Sequence, residues 1–320
     1  MIKKFQIVLL MLVSLFAISA NAAPVAYSVN SDSGNLLTED SLFQIDLATG
    51  NNLMRGELIS GIESRLDTEG LAFAPNGTLW GIDDDSRTLF PISTASGAIK
   101  FQEEIPLAGF KSGGGNDFGM TFSCDNTLYI TSVITQTLYQ LNLDGSSKVV
   151  GTEGALGVNI SAIAAIGTPT RLFGLGNGQF QDGSTDAPEL FSINVSTGVA
   201  TLIGPLGGQA GEYNQAGLAF DSDGTLWAIT DRRIINDSIA NLPSQILKLD
   251  IASGSAKLIS ETTEVGFESL AIAPPTACNA VQVSSGSNDQ AIPTLSSVGR
   301  LLAVFIILLA GMSVLRRRLS

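Results

Sequence analysis

Short apolar runs of three to five residues recur along the chain, each broken by Asn-Gly, Asp-Gly or Ser/Thr-Gly. Outside the two chain ends, no window holds a sustained apolar period of 3.6 residues, so helices are not expected there. Glu69 to Asp83, EGLAFAPNGTLWGID, reads as a hairpin: an apolar strand, an Asn-Gly turn, and a second strand carrying Trp80. Asn-Gly and Asp-Gly tolerate the positive φ that tight hairpin turns need. The motif returns as AGLAFDSDGTLWAITD, Ala216 to Asp231. Weaker copies are GMTFSCDNTLYIT (Gly119 to Thr131) and AIAAIGTPTRLFGL (Ala162 to Leu175), and a first half alone stands at SLAIAP (Ser269 to Pro274).

A second element alternates with the first. SLFQIDLATG, TLFPISTASG, TLYQLNLDGS, ELFSINVSTG and QILKLDIASG begin at residues 41, 88, 137, 189 and 245. Each is a strand, a Gly turn and the start of another strand. Two hairpins in roughly fifty residues are the period of a propeller blade rather than of a helical solenoid. The first unit lacks the LAF strand and begins with VAYSV (Val25 to Val29), while the last LAF-type strand has nothing after it to pair with. Putting that strand into the first blade hides two exposed edges at once. The expected fold is therefore all-β, a five-bladed β-propeller of four-stranded blades over residues 24–276, its first blade closed by both chain ends. Six blades is the alternative, and it would need a further, unrecognised unit of about fifty residues.

The ends add an address. Lys3 and Lys4, the apolar run Ile7 to Ile18 and the small-x-small pattern Ala20-Asn21-Ala22 make residues 1–22 an expected signal peptide. Residues 277–291 are polar and Ser-rich and read as a flexible linker. Then come Ile292-Pro293-Thr294-Leu295, Gly299, an apolar run Leu301 to Leu315, and Arg316 to Arg318. That run is at the short end for a membrane helix, and the arginines would keep its far end cytoplasmic. This tail resembles the IPTL-CTERM sorting signal of Gram-negative bacteria, with Val298 where the pattern has Trp. The resemblance implies export, inner-membrane anchoring with the propeller outside, processing by an exosortase-type enzyme, and a cell-surface or matrix destination.

Charge narrows the partners. The chain carries 17 basic and 30 acidic residues, a net of −13. Six of the basic residues lie in the two apolar ends and no acidic one does, which leaves the body at −19. Such a surface repels nucleic acid and anionic lipid and suits divalent cations. There is no histidine, which excludes Ser-His-Asp and Cys-His catalysis and histidine-held zinc. Cys124 and Cys278, the only cysteines of an exported chain, are a candidate disulfide.

Blade topology sorts the loops. The hairpin-turn face has short, repetitive turns and reads as structural. The opposite face is expected to carry long, irregular, acidic loops: Ser31 to Asp40, Asp83 to Ser86, Gly176 to Glu189 and Asp231 to Ser244. Inner strands begin on that face. Glu69, Asp117 and Glu268 are the candidate metal ligands at the channel mouth, for Ca2+ or Mg2+. Asp67, Asn116, Asn159, Asn214 and Gln215 are candidate ligand-binding residues beside them, with Ser161 also at the mouth. The Asp83-Asp84-Asp85 run reads as a solvated turn, and Gly113 to Gly115 as a flexible connection.

EGLAF followed by GTLW resembles, blade by blade, the gluconolactonase-type and NHL-like propellers. Those lactonases hold a divalent metal at the channel mouth, which would fall to Glu69 with Asn116 or Asp117, and Asn214. They have six blades against the five counted here. The leading expectation is a non-catalytic binding propeller at the cell surface, contacting exopolysaccharide or a surface protein. The alternative is a metal-dependent hydrolase of lactonase or phosphoesterase type, with Glu69, Asp117 and Glu268 on the metal.

Overall fold

The computed structural model describes residues 24–31, 35, 37–60, 63–65, 67–110, 117–176, 188–235, 238–273 and 278. The expected signal peptide, linker and sorting tail lie outside them. Among the described residues no helix is long and apolar enough to cross a membrane.

Strands follow the repeat. β1 (Val25–Val29), β2 (Ser41–Asp46) and β3 (Asn52–Glu57) open the chain, and a small clip, β4 (Ile59–Ser60) and β5 (Glu63–Ser64), follows. The second sheet is β6 (Thr68–Phe73), β7 (Leu79–Asp83), β8 (Thr88–Ile92) and β9 (Ile105–Pro106). The third is β10 (Phe118–Phe122), β11 (Leu128–Ser132), β12 (Thr137–Leu141) and β13 (Ser147–Val149). The fourth is β14 (Ile160–Ile166), β15 (Arg171–Gly176), β16 (Glu189–Ile193) and β17 (Ala200–Pro205). The fifth is β18 (Ala216–Phe220), β19 (Leu226–Ile235), β20 (Ser238–Leu249) and β21 (Ala256–Glu261). The last strand, β22 (Ala271–Ala273), pairs antiparallel with β1, so the first sheet runs β22-β1-β2-β3. Five four-stranded antiparallel sheets in a ring make a five-bladed β-propeller, closed by both ends of the chain.

The closing strand has only three paired residues, fewer than the expected Ser269 to Ala273. Ser269 still extends the seam: its hydroxyl accepts from Val29 N at 3.0 Å, and its carbonyl accepts from the Ser28 hydroxyl.

Five buried clusters lie one between each pair of consecutive blades. One aromatic from each second strand supplies the wedge: Tyr27, Trp80, Tyr129, Phe173 and Trp227. The ladder explains their common place. Each stands opposite a small inner-strand residue, Ala271, Ala72, Thr121, Ala164 and Ala219 in turn. A large ring needs a small cross-strand neighbour to lie down towards the next blade.

The Gly turns of the second repeat element lock the rim. Gly50, Gly97, Gly145, Gly198 and Gly254 have φ between +71° and +84°, where a Cβ is unfavourable. Each abuts the outer edge of the preceding blade. A Cβ on Gly254 would strike the Gly204 carbonyl, and one on Gly50 would strike the carbonyl of Glu261, where the last blade meets the first.

One expected loop is not a loop. Asp231 to Ser244 continues β19 and β20 as a ladder reaching the Ile235–Ser238 pair, interrupted by two register shifts. It forms an arm beyond the sheet, and it carries Arg232 and Arg233 rather than an excess of acid. Ile234, Ile235 and Ile239 are β-branched residues, which favour such extended pairing.

A carboxylate cluster at the channel mouth

Ring geometry decides what meets at the channel. Counting from the wedge partners, Gly70, Gly119, Ala162, Gly217 and Ser269 occupy equivalent inner-strand positions. Here neighbouring strands nearly touch: a Cβ on Gly217 would strike the backbone between Ser269 and Leu270, and one on Gly119 would lie 3.1 Å from Ala162 Cα. One residue earlier stand Glu69, Phe118, Ser161, Ala216 and Glu268. Three polar side chains therefore stand at the mouth, Glu268 and Glu69 on the adjacent first and second blades and Ser161 on the fourth, each beside a small residue that lets the strands close in.

Glu69 is held from two sides. Its Oε2 accepts from Phe118 N of the third blade at 2.8 Å, and its Oε1 lies 3.5 Å from Gln215 Nε2 of the fifth blade. It is buried, as are Asp117 and Glu268. Burial pushes the Glu69 carboxyl well above the usual carboxylate range, and the charges of Asp117, Glu268, Asp84 and Asp67 push it further. Asp67, Glu69 and Asp84 each place an oxygen within 4.8 Å of the others. Oxygens on opposite sides of a Ca2+ ion lie about 4.6–5.2 Å apart, so this trio has the span of a cation site. The Ser161 hydroxyl, buried at the same mouth, has no hydrogen-bond partner among the described residues. Glu69, Ser161 and Ser269 line a cavity of about 10 Å3, room for one water or one bare ion.

The expected site residues thus divide. Glu69, Asp117, Glu268, Asp67 and Gln215 come together. Asn159 turns away, its Oδ1 accepting from Gln136 Nε2 at 2.8 Å. Asn214 reaches the arm through its backbone, donating to the Asp231 carbonyl at 2.9 Å. Asn116 and Gly113 to Gly115 lie outside the described residues.

The Asp83-Asp84-Asp85 run is not a simple solvated turn. Asp83 is fully buried and accepts from Asp67 N at 3.1 Å and from Ser86 N at 2.7 Å. Asp84 N donates to the Asp67 carbonyl at 3.1 Å, which brings its side chain to the cluster, and only Asp85 faces solvent. Asp40 was not foreseen at all. Burial, then Glu39, Asp67, Asp83 and Glu57, raise its carboxyl to about 7. The signal available was the repeat itself: Asp83 ends a second strand, where inner-facing residues stay buried.

Beneath the mouth the channel turns apolar, with Leu71, Phe73, Phe122, Leu218, Phe220 and Leu270 around a cavity of about 20 Å3. Cys124, in the turn between β10 and β11, is disulfide-bonded to Cys278, with Cα atoms 5.2 Å apart. This bond carries the chain leaving β22 across to the third blade. Arg65, in the connection to the second blade, is half of a buried ion pair: its Nη2 donates to both carboxylate oxygens of Glu104, at 2.9 and 2.7 Å.

No protein-family model matches the chain, and no curated protein matches it. Solved structures similar to it include a catalytically inactive virginiamycin B lyase from Staphylococcus aureus with quinupristin. That pair shares 17% identity over 75% of this chain and 71% of the other, at a TM-score of 0.39. The nidogen–laminin complex shares 12% identity over 78% of this chain and 98% of the other, at 0.45. A symmetrical protein of de novo evolutionary emergence shares 15% over 77% and 97%, at 0.44.

Proposed function

We propose that the chain is an exported, surface-displayed binding propeller with no chemistry of its own, and that Ca2+ or Mg2+ seats at its channel mouth. The observation that carries this reading is the crowding of acid at the mouth. The charges of Asp67, Asp84, Asp117 and Glu268 all act on the buried carboxyl of Glu69. Repulsion among crowded carboxylates is relieved by a cation. Glu69 with Asp67 and Asp84 would hold it, and Ser161 offers a further oxygen. The signal peptide and the IPTL-type tail support export, exosortase-type processing and display; exopolysaccharide or a surface protein is then the partner class.

The same trio supports a second reading, a metal-dependent hydrolase. A bound cation would supply Lewis acidity there, and Glu69, whose carboxyl burial holds well above the usual carboxylate range, would be the group to move a proton.

The test is the thermal melt of the full-length protein in EDTA and in rising Ca2+ or Mg2+. A cation bound only by the folded state stabilises by about 2.7 kcal/mol at a hundred times its Kd. A saturable rise of a few degrees, absent in Glu69→Gln, is expected. No rise at millimolar ion would remove the cation. Hydrolysis of lactones or phosphoesters that vanishes in Glu69→Gln would favour the hydrolase.

A further inference from the structure

We infer that the groove between the fourth and fifth blades, on the hairpin-turn face, binds a carboxylated sugar through Arg171. This face reads from the sequence as purely structural. The groove is shallow and open to solvent, with about 640 Å3 of space along it.

It opens because one blade breaks the wedge pattern. On the third strands, the residues opposite the wedge aromatics are Gln44, Pro91, Gln140 and Lys248 in four blades. Two of these reach their aromatic: Gln140 Nε2 lies 3.4 Å from the Tyr129 hydroxyl, and Lys248 Nζ lies 4.4 Å from the centroid of Trp227. In the fourth blade the wedge is Phe173 and its partner is Ser192, smaller than any other cover. Space is left where the other blades are filled.

Arg171 lines that space. Its guanidinium carbon lies 5.1 Å from the Phe173 centroid, and it makes no ion pair among the described residues. An arginine plane propped on a ring presents its N–H fork outward, the geometry that meets a carboxylate in a bidentate pair. Asp250 adjoins the groove with both carboxylate oxygens engaged in its own turn: its Oδ1 accepts from Ala252 N at 3.0 Å and its Oδ2 from the Ser253 hydroxyl at 2.7 Å. Asn194 uses its Oδ1 on Ser196 N and Thr197 N, which leaves its amide N–H groups as donors. The Thr170 and Ser196 hydroxyls line the same groove. Ile203 and Ile251 give one apolar wall. One guanidinium, several hydroxyl and amide groups and one greasy wall match a hexuronic acid, which has a carboxylate, a ring of hydroxyls and an apolar C–H face. The site lies on the face away from the acidic mouth, whose carboxylates would repel the same ligand.

The inference rests on the reading of the chain as a binding module but not on the cation. The experiment is calorimetric titration of the full-length protein, in EDTA, with galacturonate, its neutral methyl ester, galactose and acetate. Galacturonate is expected to bind, and the other three at least tenfold more weakly. Arg171→Ala is expected to weaken galacturonate about 10- to 100-fold, as loss of charge-assisted hydrogen bonds does. Ser192→Gln keeps Arg171 but fills the groove with the neutral residue that stands at the equivalent place in the third blade, Gln140, and is expected to weaken binding at least tenfold with the melting point unchanged within a few degrees. No galacturonate binding, equal binding of acetate, or binding unmoved in both variants would overturn the proposal. Since every arm is run in EDTA, failure here leaves the cation reading standing, and failure of the cation test leaves this one standing.

Discussion

Asp40 shows how a single side chain sets a pH dependence in this fold. Its carboxyl sits at about 7 in the folded protein against 3.8 for the free group, chiefly because it is buried. The folded state therefore holds a proton that the unfolded chain releases between those values. The stabilisation is complete below about pH 3.8 and is lost as pH rises through about 7. In EDTA, Asp40→Asn is expected to raise the melting point at pH 8 and to leave it nearly unchanged at pH 4; melts across that range check it. A neighbouring test concerns space rather than charge. Gly217→Ala puts a methyl group against the backbone of Ser269 and Leu270, which cannot move without opening the seam. Overpacking of this kind costs about 1–3 kcal/mol, to be read from urea unfolding.

At the scale of the strand and the turn, the disulfide gives the clearest forecast. Cys124 and Cys278 are 154 residues apart, so their bond closes a long loop in the unfolded chain. Cys124→Ser is expected to cost about 2–4 kcal/mol, measured by denaturation without reductant. The elements themselves were largely legible. Strand positions followed from apolar runs and Gly turns, since each glycine answers a local demand for positive φ. Blade number followed from counting those turns, and the inner-strand Gly70, Gly119 and Gly217 carry the same message, because only a narrow ring brings inner strands so close. The misses have a common cause. The arm after Asp231 was hidden because two arginines and the Asn-Asp pair that follows the isoleucines resemble loop composition, while its pairing depends on register. Asp84 was hidden because adjacent aspartates look alike in sequence, and only the bonds to Asp67 separate a buried one from an exposed one. The Arg171 groove arises from a small residue, Ser192, whose meaning appears only against its four counterparts.

Over the whole molecule, the ring is held by the same contact repeated at each rim and by one seam made differently. Three paired residues of β22 close a circle whose other joins are covalently continuous. A chain ending at Glu268 would leave β1 with a bare edge, and such edges recruit further strands. It is expected to run as oligomers in size-exclusion chromatography with light scattering, while the full-length protein melts in one transition. The disulfide also determines where tension goes. A pull on the chain beyond Cys278 enters Cys124 directly and continues through the third blade towards the N-terminus. The covalent path thus leaves out everything between the two cysteines, β22 included. A tug from the C-terminal side does not peel β22 from β1 end-first, and the propeller can be tethered by that end without its closing strand being the first thing pulled.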